Sequence, residues 1–123
     1  MNLKDYPALD IPERELVEFA AKAVGIELMW SSVADQPPFI QETLEYWKPR
    51  ENGDDALNLA ADLDIQIEQI GVGAKPTNEV SCYPRGRGDC NVIVPHGDDK
   101  RAATRLAIFY AAALLGMSKS AAK

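Results

Sequence analysis

The chain has 123 residues, 46% of them hydrophobic, which is the size and apolar content of one domain with a single core. Nineteen acidic against thirteen basic residues leave a formal charge of −6. That balance argues against general affinity for DNA, RNA or an anionic membrane, because phosphate surfaces are bound by net positive charge. No apolar run approaches the roughly 20 residues that span a bilayer, and the opening "MNLKDYPALD" lacks the apolar stretch of a signal peptide. A cytoplasmic protein is expected, with Cys82 and Cys90 as free thiols rather than a disulfide framework.

The first element in chain order is a helix over "DIPERELVEFAAKAVG". Asp10 can cap it, Glu13 stands three residues on as in a capping box, and Pro12 is tolerated in the first turn. Leu16, Phe19, Ala20, Ala23 and Val24 recur at helical spacing, and Gly25 is placed to end the helix in a left-handed cap. "IELMW" reads as a short strand. "SSVADQPP" reads as a loop, because consecutive prolines exclude helix and central strand. A further strand is expected near Leu44 to Trp47, and Trp30 and Trp47 read as core or rim aromatics before a ligand platform.

A second helix is expected over "PRENGDDALNLAADLD". Asn52 or Asp54 would cap it, carboxylates occupy its first turn, and Ala56, Leu57, Ala60 and Leu63 form one face. "IQIEQI" then alternates as a half-buried strand. "EVSCYP" and "NVIVP" form a hairpin around the glycine-spaced "RGRGDC". The last element is a helix from about Asp98 to Leu115, stopped by Gly116. Its alanines, Ala103, Ala107 and Ala111, permit close approach to a sheet or another helix.

This order predicts an α+β domain over residues 1–117, with three helices packed on a mostly antiparallel sheet of about four strands, and periodicity leaves open whether the helices lie on one face or both. Residues 118–123 are expected to fray.

The combination "ELVEFAAKAVGIE", "WKPRENGDDALNLAADLDIQIE" and "DDKRAATRLAIFYAAALLG" resembles the small bacteriophage proteins of the phage ABA-sandwich type, and also the NinX-type phage proteins. The pattern is a tryptophan and proline before an acidic segment and an amphipathic helix, as in Trp47, Pro49, Asp54 and Asp55, with an alanine-rich helix closing the chain. The stretch 72–90 falls outside it. The resemblance implies a phage protein acting in the bacterial cytoplasm, with helices on both faces of a sheet, an α-β-α sandwich. It brings no catalytic residues with it.

Candidate chemistry is sparse. His96 is the only histidine, which rules out a multi-histidine metal site within one chain, and no metal or cofactor is expected. A hydrolase built on Cys90 and His96 is the least favoured reading. Asp54, Asp55, Asp98 and Asp99 read as helix first-turn charges. The positive cluster is more pointed: Arg85 and Arg87 can grip phosphate, Gly86 and Gly88 let the backbone approach a ligand, and His96, Lys100 and Arg101 follow at a helix start. Asp98 and Asp99 would repel an anion there.

Two non-enzymatic readings follow. One is a counter-defence protein that inhibits a host defence protein by covering it with an acidic surface. The other is a sponge that sequesters a nucleotide-derived immune signal around residues 85–101. Apolar residues around more than one face of the closing helix, namely Leu106, Phe109, Tyr110 and Leu114, predict a homodimer through that helix, against the alternative that one chain covers both faces.

Overall fold

The computed structural model describes residues 13–32, 36–70 and 78–121. Helix α1 spans Glu13–Val24 and buries Leu16, Ala20, Ala21 and Ala23. It ends at Gly25, whose φ is +78°. The Ile26 amide donates to the Ala21 carbonyl at 2.9 Å and the Gly25 amide to that of Lys22 at 3.3 Å, the paired bonds of a Schellman motif. The expected Asp10 cap and Pro12 lie outside the described residues.

Strand β1, Leu28–Met29, pairs antiparallel with β2, Phe39–Ile40, with Leu28 opposite Ile40. The strand expected over residues 44–47 is a correction. Leu44 sits at φ 62°, its amide closes a turn onto the Ile40 carbonyl at 2.7 Å, and a single bridge from Tyr46 to Phe39 remains. A left-handed residue cannot continue a pleated ladder.

Helix α2, Gly53–Asp62, is capped by Asn52, whose side-chain oxygen accepts from the Asp55 amide at 3.0 Å. Its buried positions are Ala56, Leu59 and Ala60, an i, i+3, i+4 set. Leu57, expected inward, lies about 100° further round the helix than Ala56 and is 65% exposed.

Strands β3 (Ile65–Ile70), β4 (Glu79–Pro84) and β5 (Val92–Pro95) form an antiparallel sheet in that order. Cys82 lies opposite Ile67 on one side and Val92 on the other, so these side chains share a face. On that face Ile65, Val80, Cys82, Val92 and Val94 are buried. Ile67 on the edge strand β3 is partly exposed. On the opposite face the Ser81 hydroxyl donates to Asn91 Oδ1 at 2.7 Å, which satisfies a polar group that is itself buried.

Helix α3 spans Lys100–Ala121, 22 residues. It passes straight through Gly116, the expected stop. A Cβ added there would fall 1.8 Å from the Phe19 carbonyl oxygen, so the glycine lets two helix backbones touch instead of ending one. Of the residues expected to fray, 118–121 belong to α3 and 122–123 lie outside the described residues. The turn beyond Gly116 stays helical, and Lys119 Nζ donates to the Ala23 carbonyl at 2.9 Å, satisfying an orphan acceptor at the end of α1. Ala107, Ala111, Ala112 and Ala113 are all fully buried. Small side chains on every side of the helix let it pack on the sheet and on α1 at once, and α3 is the middle layer between them. The α+β class and the antiparallel pairing are as expected, with five strands divided between a two-stranded and a three-stranded sheet.

Candidate functional site

The β4–β5 connection positions the arginines. Gly86 turns the chain at φ +76°, and residues Gly88–Cys90 make one 3-10 turn. Arg85 Nε lies 2.8 Å from Asp64 Oδ2. Arg87 grips Asp89 bidentately, Nε to Oδ1 at 3.0 Å and Nη2 to Oδ2 at 2.9 Å, and Nη2 also donates to Ser118 Oγ at 2.7 Å. The guanidinium holds the Asp89 carboxyl below its usual range. Both arginines already have carboxylate partners, and Arg87 is tied to the last turns of α3.

Lys100 and Arg101 start that same helix. Eighteen residues from Lys100 to Ser118, at the helical rise of 1.5 Å, put them about 27 Å from the Arg87 anchor. The positive cluster read from the sequence is therefore split between the two ends of α3. His96 joins the Lys100 end: its Nε2 is 2.6 Å from Gln69 Oε1, Gln69 Nε2 donates to Thr104 Oγ1 at 3.0 Å, and Thr104 Oγ1 donates to the Lys100 carbonyl at 2.8 Å. The helix N-terminus is filled by its own chain, since Asp99 Oδ1 accepts from the Ala102 amide at 3.0 Å. That is the cap position an external anion would need.

The Cys90 and His96 pair is not assembled. Strand β5 runs between them, and Cys90 is buried beside Ala23 and Leu115. Burial and the nearby Asp89 charge raise its thiol pKa, with Arg87 opposing. Burial pushes the Cys82 thiol up to about 12. Both thiols are held in the weakly nucleophilic, protonated form. Among the described residues no group of three or more His, Cys, Asp and Glu could hold a metal ion, and no helix is long and apolar enough to cross a membrane.

The expected dimer residues are spent within one chain. Phe109 and Tyr110 are buried, and Leu106 and Leu114 pack half-buried against the same core. The closing helix has apolar residues on several sides because it is the middle layer.

Two grooves flank α1, and the sequence did not single them out. One, of about 720 Å³, is lined by Glu15, Glu18, Phe19 and Lys22 of α1, then Gly25, Ile26, Glu27 and Leu28, with Gln41 opposite. Positions 15, 18, 19 and 22 are one helical stripe. The second, of about 440 Å³, holds Trp30, Trp47, Pro37, Pro38 and Pro49 under a mixed rim that includes Glu13, Arg14, Arg50 and Glu51. Trp30 joins the two: Arg14 lies 4.4 Å over its ring, and its indole N–H donates to Glu18. Glu13 and Arg50 pair across the second groove. Phe19 was read from its spacing as a core residue; the signal for a surface was the carboxylate at each of positions 15 and 18 on the same stripe.

No family model matches the chain, and neither a curated protein nor a solved structure matches it at significance.

Proposed function

We propose that this chain is a non-catalytic binding protein, encoded by a bacteriophage and acting in the host bacterial cytoplasm, that disables a defence protein by covering part of its surface. The observation that carries the reading is the state of the loop arginines. Arg85 is paired with Asp64 and Arg87 with Asp89. A phosphorylated signal would have to displace a carboxylate at each, and Lys100 and Arg101 stand a helix length away. Sequestration of a nucleotide-derived signal thereby loses its grip, while the acidic excess of the chain remains to complement a basic protein surface. The phage setting rests on the resemblance carried by the helix caps and faces and by the segment from Trp47 to Glu68.

The test is protection. Expressed in bacteria armed with single defence systems, the chain restores phage growth against one of them and co-elutes with a protein of that system. The double variant R85A/R87A keeps this activity, and neither cyclic dinucleotides, ADP-ribose derivatives nor inorganic phosphate raises the melting temperature. Loss of protection in R85A/R87A, together with a nucleotide-specific thermal shift in the parent chain, would replace this reading with the sponge.

A further inference from the structure

The acidic groove along α1 combines an apolar floor with a rim of three glutamates against one lysine, and we infer that it is the surface by which the chain holds its partner, taking a protein segment that presents lysine or arginine beside apolar side chains. This rests on the binding-protein reading above and names its surface and partner chemistry.

The floor is Phe19, Ile26 and Leu28, each half-buried against the core and half left open. Apolar surface in that state gains from being covered. The rim sets what can cover it. Glu15, Glu18 and Glu27 face a single cation, Lys22. An acidic segment would be repelled, and a purely apolar one would strip water from carboxylates without pairing them. A basic amphipathic segment meets both demands, covering the floor and pairing the rim. The surface is also held in place before any partner arrives. Glu15, Glu18, Phe19 and Lys22 share one helix, and that helix is locked to α3 where Phe19 meets Gly116, so little ordering remains to oppose binding. The neighbouring tryptophan groove lacks such a selector, because its rim mixes both signs and its Glu13 and Arg50 already pair with each other.

Trp30 supplies the readout. Its indole donates to Glu18, so a cation that recruits Glu18 changes the indole's surroundings and its emission. The full chain is titrated, by calorimetry and by tryptophan emission, with a synthetic amphipathic peptide of leucine and lysine at helical spacing. A sister peptide with glutamate for lysine, and spermine, serve as comparisons. The lysine peptide binds, more weakly as salt rises, and shifts the emission. The glutamate peptide and spermine bind at least about tenfold more weakly. The variant E15Q/E18Q/E27Q loses about tenfold in affinity for the lysine peptide. D62N/E68Q/D98N, which removes the same charge from exposed positions elsewhere, stays within about twofold. Equal losses in the two variants, spermine binding as tightly as the peptide, or no binding of the lysine peptide each overturn the groove assignment. Protection that survives in E15Q/E18Q/E27Q also overturns it and leaves the binding-protein reading standing. Loss of protection in that variant alone supports both.

Discussion

On its inner side α1 meets α3 so closely that Gly116 has no room for a methyl group against the Phe19 carbonyl, whereas on its outer side the same Phe19 lines an open groove edged with carboxylates. One residue thus serves a contact that admits no change and a surface that is open to it. The difference lies in which atoms are engaged. On the inner side the backbone itself makes the contact, so only the absence of a side chain will do. On the outer side the side chains decide what can bind, and their exchange leaves the fold alone.

The sharpest way to break that comparison is to fill the inner contact. Gly116→Ala adds a helix-favouring residue, worth about 1 kcal/mol in an open helix, yet the added carbon meets backbone that can move only with all of α1. We expect a net loss of about 3 kcal/mol in urea unfolding. An unchanged midpoint would mean that the helices have slack.

A second interior probe is Cys82. Its folded pKa is raised from 9.0 to about 12 by burial, so the unfolded chain ionises first as the solution becomes alkaline. The thiol's contribution is constant below about pH 9 and is lost between there and about pH 12. At pH 10 the loss is about 1.4 kcal/mol relative to neutral pH, and C82A flattens that part of the profile. Next, Lys119→Ala removes the donor to the Ala23 carbonyl and costs about 1 kcal/mol. Smallest is the outer side: E15Q/E18Q/E27Q shifts stability by no more than about 0.5 kcal/mol, as exposed charges do. A large loss there would show that the groove residues support the fold after all.

Most of the elements were legible because their signals are local. Gly25 as a left-handed cap, Asn52 as an N-cap and "IQIEQI" as a strand each depend on a few neighbouring residues, and the structure has all three, although only Ile65 of that strand is buried and Ile67 is exposed. The hairpin around "RGRGDC" was legible for the same reason. What failed needed knowledge of the partner across space. Gly116 looks like a stop until Phe19 is placed beside it, and what the apolar sides of α3 pack on shows only when the sheet and α1 are laid on them. Leu57 and Leu59 stand two residues apart on different sides of α2, and the packing of that helix on α3 and β3 selects Leu59 as the buried one. The arginine cluster failed in a comparable way. Arg87 and Arg101 are close in sequence, but β5 leads from one to the other and Arg87 is bonded near the far end of the helix that Arg101 begins. The grooves were the least legible feature, since the first takes Gln41 and the second takes residues 36–38 and 47–51 from further along the chain.

The burial of Cys82 and Cys90 has a practical side. They are the only cysteines in the chain, and both are enclosed. A thiol introduced at an exposed position such as Leu57, on the outer face of α2, would be the one a labelling reagent reaches in the native protein. A fluorophore or crosslinker could then be placed at a chosen distance from the α1 grooves without first deleting the native sulfurs, and partner capture could be mapped one position at a time.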